Sequence, residues 1–222
     1  MKTETVKRYL VFAAGLVLTA LGIAFTTQSG LGTSPISAIP YTLSLIVPKL
    51  TVGNWTIIFS MLLILIQLII EKREAKKVEL LLQIIVTFPF GYIIDFWIFC
   101  LEPFAPAVYP MRLLFMIIGC FVLAMGVYFQ VTGNVVMLPG DAFVRSVSRA
   151  AGKEFGRTRM VSDIVMTAVA FIACLAALHT IQGVREGTVI AALLVGNIVR
   201  LYKAKIFVLT DCINSWYSGC AM

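Results

Sequence analysis

Six stretches of the chain, at about residues 9–28, 52–70, 80–101, 111–131, 161–181 and 187–202, are almost continuously apolar. Each is near the roughly 20 residues that an α-helix needs to cross the hydrocarbon of a bilayer. A soluble core has no use for runs of this length. Composition agrees: 60% of the 222 residues are hydrophobic and 13% are charged, where soluble domains carry about 25% charged residues. The expected fold class is an all-α polytopic membrane protein of about six transmembrane helices, forming one membrane domain over residues 1–222. Gln28, Ser29 and Gly30 follow the first run without a small-residue cleavage pattern, so that run is expected to be a retained helix.

The net charge of +7 does not point to nucleic acid, because the basic residues lie between apolar runs instead of on one soluble face. Lys and Arg mark the cytoplasmic side of short loops. Lys2, Lys7 and Arg8 precede the first run, Lys72, Arg73, Lys76 and Lys77 separate the second and third, and Arg145, Arg149, Lys153, Arg157 and Arg159 separate the fourth and fifth. Lys203 and Lys205 follow the sixth, while the alternate loops hold only Lys49, Arg112 and Arg185. Six crossings put every basic cluster inside and both termini in the cytoplasm. Cys100, Cys120, Cys174, Cys212 and Cys220 show no metal-ligand spacing, and three of them read as small hydrophobes in apolar runs. No metal or cofactor is expected. His179 reads as an interfacial residue at a helix end.

Six crossings require that residues 33–47 do not cross. "SPISAIPYTLSLIV" would reach about 21 Å as a helix, short of the roughly 30 Å of hydrocarbon. Pro40 is expected to interrupt it. A re-entrant half-helix fits better, and its counterpart lies at 139–151. Adding 104 to Gly15, Gly22, Pro35, Ala38 and Ser44 gives Gly119, Gly126, Pro139, Ala142 and Ser148. Gly53 then meets Gly156 and Gly91 meets Gly196 as the offset drifts. Two repeats follow, at about 8–101 and 111–205, each holding three crossings and one proline-led short helix. Three is odd, so the second repeat is expected to be inverted, a recurrent transporter plan. The rival topology makes 33–47 and 139–151 full spans in parallel repeats of four helices; Asp141, Arg145 and Arg149 count against it.

"GLGTSPISAIPYTLS", "VGNWTIIFS", "LLQIIVTFPFGYIIDF", "LPGDAF", "FGRTRMVSDIV" and "GTVIAALLVGNIVR" together resemble the YczE/YyaS/YitT family of bacterial inner-membrane proteins over about residues 8–205. The resemblance implies a polytopic fold in the bacterial inner membrane and names no solute. One departure is Gly196-Asn197, where the family pattern has Gly-Pro. The tail, residues 206–222, lies outside the resemblance and is too short and polar to cross.

Candidate site residues come from the two short segments and from charges inside the runs. Thr33, Ser34 and Ser37 supply hydroxyls beside the free N–H groups of a helix start, although Ser34 could simply cap a helix that begins at Pro35. Asp141 and Arg145 occupy the second segment, one turn apart. Asp95, Arg159 and Asp163 lie in or beside spans, where a charge is costly. Asp163 is expected to pair with Arg159 four residues earlier and to act structurally; Asp141 ranks above it as the coupling acid. No nucleophile elbow, zinc-protease or phosphate-loop motif occurs, so no enzyme is expected. A secondary transporter or permease for a small polar solute is the leading expectation. A non-transporting accessory, solute-binding or regulatory subunit is the alternative. The expected partners are the bilayer and the solute, with a homo-oligomer left open.

Orientation is testable by labelling. In a cysteine-free background, Ala75→Cys should react with an impermeant maleimide only after the membrane is opened. Reaction in intact cells would overturn the six-crossing topology.

Overall fold

The computed structural model describes residues 2–71, 77–179 and 183–205. These residues form α1 (Lys2–Gln28), α2 (Pro35–Ile46), α3 (Val52–Glu71), α4 (Lys77–Leu101), a 3-10 turn (Glu102–Phe104), α5 (Tyr109–Gly133), α6 (Pro139–Ala151), α7 (Phe155–Leu178) and α8 (Glu186–Lys205). Five of the helices, α1, α3, α4, α5 and α7, are long and apolar enough to cross a membrane. The sixth run is α8, whose apolar portion is shorter, Glu186–Val199. α7 starts earlier than its apolar run because Arg157 and Arg159 fall within its first turns, and it ends where His179 turns left-handed, at φ 52°. Leu62, Leu65, Ile69, Ile164 and Ile172 stay exposed on α3 and α7. Apolar side chains facing outward on a spanning helix meet lipid, so their exposure carries no penalty.

The most extensive contact joins α1 to α5. Glycine permits it. A Cβ on Gly22 would lie 2.6 Å from the Leu123 backbone nitrogen, and one on Gly15 would lie 2.8 Å from the Gly126 carbonyl oxygen. Small residues of this kind let two backbones touch where no hydrophobic force draws helices together. The helices run antiparallel, since Gly15 faces Gly126 and Gln130 while Thr26 faces Gly119. The contacts come in exchanged pairs. Gly15 meets Gln130 and Thr26 meets Gly119; Gly22 meets Leu123 and Thr19 meets Gly126; Phe12 meets Gly133 and Ser29 donates to the Met116 sulfur. Shifting by the 104-residue offset turns each member of a pair into the other.

The remaining helices follow the same exchange. α1 packs on α4 and α5 on α8; α2 packs on α7 and α3 on α6; α2 packs on α3 and α6 on α7. The α3–α4 contact has no equally extensive counterpart between α7 and α8. Helix directions bring Lys7, Arg8, Lys77, Arg149, Lys153 and Arg157 to one end of the bundle, which also holds Glu71 and Glu79. Lys49, Arg112 and Arg185 lie at the other.

The two short helices have 12 and 13 residues, or about 18 and 20 Å, too little to cross hydrocarbon. Pro40 does not interrupt α2; the helix runs through it to Ile46. Pro40 lies in the second turn, where its missing N–H forfeits the bond to the Ile36 carbonyl; its ring is fully buried in the bundle, and that packing offsets the loss. Residues 72–76 of the basic loop and the 206–222 tail lie outside the described residues.

Gly22→Leu should separate α1 from α5 and lower stability by about 1–3 kcal/mol, read as a fall in melting temperature in detergent. Gly196, with nothing within 4 Å of an added Cβ, should accept alanine without loss.

Candidate functional site

α2 and α6 begin alike. The residue before each helix, Ser34 or Leu138, is extended (φ −62°, ψ 150° and φ −58°, ψ 150°), and proline follows at the first helical position. No side chain caps either start, so neither helix has a side-chain acceptor for its first N–H groups. The two starts meet, because a Cβ on Gly140 would lie 3.2 Å from the Ile36 side chain. These residues are themselves 104 positions apart in the chain.

Around the α2 start the hydroxyls are mutually engaged. Thr33 is fully buried and sits 3.1 Å from the Thr26 hydroxyl. Thr26 already donates to the Ile23 carbonyl at 2.9 Å, so Thr33 is the donor between them. Ser34 donates to the Ser37 hydroxyl at 3.1 Å, and the Ser37 amide donates to the Ser34 carbonyl at 2.9 Å. The linker that feeds α2 is tied to the start of α8: the Gly187 amide donates to the Leu31 carbonyl at 2.9 Å. Gly32 follows at φ +108°, a conformation that strains any residue with a Cβ. A Cβ there would also lie 3.2 Å from the Arg185 nitrogen.

The acids and bases of the second segment form a cluster at the Glu71 end. Arg145 on α6 pairs with Glu79 on α4, and Ser146 donates to Glu71 on α3. The 141–145 spacing therefore does not produce an Asp141–Arg145 pair; Arg145 reaches across to α4. Arg159 pairs with Asp141 and also lies 3.7 Å from Asp163. The expected division, with Asp163 holding Arg159 and Asp141 left for solute, does not hold in this geometry. The Arg159 side chain reaches both acids, so one guanidinium bridges both carboxylates.

Asp95 has a different task. Its two carboxylate oxygens accept from the Gly53 amide at 2.7 Å and the Thr51 hydroxyl at 2.6 Å. Thr51 in turn accepts from the Asn54 amide at 3.2 Å. Asp95 thus holds the first turn of α3, where an anion is favoured by unpaired N–H groups. It lies at the opposite end from the Arg145 cluster and away from any solute site.

The sequence reading missed Glu71, Glu79 and Ser146, and also Gln67 and Gln83, which are 1% and 0% exposed. Glu71 and Glu79 flank a basic loop and carry no motif that marks them. The glutamines did carry a signal, an amide inside an apolar run on each of two consecutive helices.

A model of a family of unknown function (DUF6198) matches residues 6–204, and the chain belongs to that family. Over 201 residues it is 27% identical to the "Uncharacterized membrane protein YczE" of Bacillus subtilis (strain 168), covering 90% of this chain and 87% of that one. Over 95 residues it is 36% identical to the "Uncharacterized protein YyaS" of the same organism. That match covers 43% of this chain and spans only 45% of YyaS. No solved structure matches the chain. With its apolar helices and its membrane-protein relative, the chain is an integral membrane protein.

A double-mutant cycle on Arg145→Gln and Glu79→Gln should show a coupling of about 1 kcal/mol, as expected for partly exposed pairs in contact. The cycle on Arg159→Gln and Asp141→Asn should show the same order. Thermal stability in detergent is the measurement. Additive losses would mean that neither pair forms.

Proposed function

We propose that the protein is a secondary transporter or permease for a small polar solute, built as an inverted repeat with α2 and α6 as re-entrant helices. The observation that carries this reading is the meeting of the two uncapped helix starts at Ile36 and Gly140. Discontinuous helices whose ends converge near the middle of a membrane are the usual site of solute recognition in inverted-repeat carriers. The exchanged contacts between α1 and α5 support the inversion. A pseudo-two-fold axis across antiparallel helices, lying in the membrane plane, generates such pairs, whereas parallel repeats would not.

In this reading Thr33, Ser34 and Ser37 face the solute from one half and Asp141 from the other. The solute competes for hydroxyls that otherwise bond one another, and for the carboxylate that otherwise pairs with Arg159. Arg145, paired with Glu79, closes the path from the basic end. Solute binding that draws Asp141 away from Arg159 changes the charge around Asp163, which gives solute and proton a common group. The location is the bacterial inner membrane, as the relatives' organism supports, with both termini in the cytoplasm where the basic residues gather.

Purified protein in liposomes should take up at least one member of a panel of amino acids, organic anions and sulfur compounds, saturably and with dependence on a pH gradient. Thr33→Val and Ser37→Ala should lower uptake at least tenfold while melting temperature stays nearly unchanged. Asp141→Asn should abolish gradient-driven uptake and retain exchange. Uptake of nothing in the panel by well-folded protein, with or without a gradient, would sink the reading.

A further inference from the structure

α1 is uncovered over its first half only. Val6, Tyr9 and Leu10 are about half exposed, Val17 is the last exposed residue of the helix, and every residue from 18 to 28 is buried or partly buried. The uncovered stretch is concave. An open-sided groove of about 790 Å³ runs along α1 from Thr5 to Leu16, with Val86 of α4 as its opposite wall. Apart from the hydroxyls of Thr5 and Tyr9, the side chains that line it are apolar. It ends where α4 closes on α1. Leu16, Val86 and Phe90 pack in one core cluster there, and further along Gln28 donates to the Ile98 carbonyl at 3.0 Å.

Length narrows the occupant. From Thr5 to Leu16 the helix rises about 17 Å, close to half of the roughly 30 Å of hydrocarbon. A spanning helix of a second copy would run the full depth and is about 10–12 Å wide with its side chains, yet the groove stops midway. A lipid acyl chain is confined to one leaflet and has the length that the groove offers.

The mouth is basic. Leu16 and Val86 are 70 positions apart, and so are Gln28 and Ile98. α1 and α4 therefore run side by side in the same direction, and Lys7 stands level with Lys77. Lys2, Lys7 and Arg8 outnumber Glu4 in the first turns of α1. Glu79, the acid that follows Lys77, is already matched by Arg145. Tyr9 joins an apolar ring to a hydroxyl, and tyrosines gather at headgroup level. We infer that this groove binds one anionic phospholipid of the leaflet at the basic end. An acyl chain lies along Val6, Tyr9, Leu10 and Ala13, and the phosphate sits between Lys7 and Lys77. Bulk lipid touches any convex helix face; here the concave wall holds the chain and the paired cations select the headgroup. This binding does not depend on whether the protein transports.

The test is native mass spectrometry of the full chain in detergent, titrated with dioleoylphosphatidylglycerol and, separately, with dioleoylphosphatidylcholine. The first anionic lipid should bind roughly tenfold or more tighter than the zwitterionic one, since each nearby basic residue contributes about fivefold. Lys7→Gln combined with Lys77→Gln should bring the two lipids to within about threefold of each other. Ala13→Phe fills the groove and should weaken the anionic lipid by roughly tenfold, because several CH₂ groups of the chain are displaced. Ala168→Phe, the same change at an exposed position of α7, should leave binding as it is. Melting temperatures without lipid should match the wild type, and if Ala13→Phe is less stable the lysine variant decides. Equal affinities for the two lipids in the wild type, an undiminished preference in the lysine variant, or full binding by folded Ala13→Phe would overturn the inference. So would a dimer that Ala13→Phe converts to monomer, which would mark the groove as a contact between copies.

Discussion

The structure rests on the direct approach of two backbones, α1 and α5, across Gly15, Gly22, Gly119 and Gly126. In lipid, apolar surface gains little by leaving its surroundings, so close packing and polar bonds must supply the attraction. Here they coincide. The Gln130 amide donates to the Thr19 hydroxyl at 2.6 Å and lies 3.3 Å from the Gly15 carbonyl. The Gly15 carbonyl and the Thr19 hydroxyl would be out of reach of Gln130 if the helices stood a methyl group further apart. Everything else hangs on this pair: α4 and α8 pack on its flanks, and α2, α3, α6 and α7 are disposed in matching contacts around it.

The two ends of this frame differ in chemistry while sharing a plan. At one end Ser146, Glu71, Glu79, Arg145, Asp141 and Arg159 are joined by charge-assisted bonds. At the other, Thr42 stands where the offset places Ser146. Its hydroxyl is buried against Gly183, whose amide donates to the Cys174 sulfur at 3.3 Å. One end is held by ions and responds to salt. The other combines the close packing of a hydroxyl, a thiol and a glycine with the Asp95 carboxylate that holds the start of α3.

Much of the fold was legible because membrane helices are specified by length and apolarity alone. The short helices were legible from Pro35 and Pro139 and from the shared offset. The break expected at Pro40 was not found: the proline forfeits one bond in the second turn, and the burial of its ring among neighbouring helices, which the local sequence does not show, offsets that loss. The candidate site was legible in part. Thr33, Ser37 and Asp141 do lie at or beside the converging helix starts. The partners of Asp141, Arg145 and Asp95 were not legible, since all are distant in sequence and chosen by how helices cross. The spacing that suggested Asp163 with Arg159 was real but incomplete, because α6 brings a second acid to the same guanidinium.

The exchange between α1 and α5 has a consequence for how the chain is made. The surface that α1 buries against α5 is completed only by residues about 104 further along. At a synthesis rate of roughly 5–20 residues per second, α1 waits on the order of 5–20 s in the bilayer with Gly15, Thr19, Gly22 and Thr26 unmatched by their native partner. α4 arrives sooner and covers only a neighbouring strip, through Phe12, Leu16 and Phe90. The nascent first half is thus a ribbon of small and hydroxyl-bearing residues turned toward lipid. It is the state most exposed to pairing with the wrong helix or being met by a membrane protease, and it closes only when the second half enters the membrane.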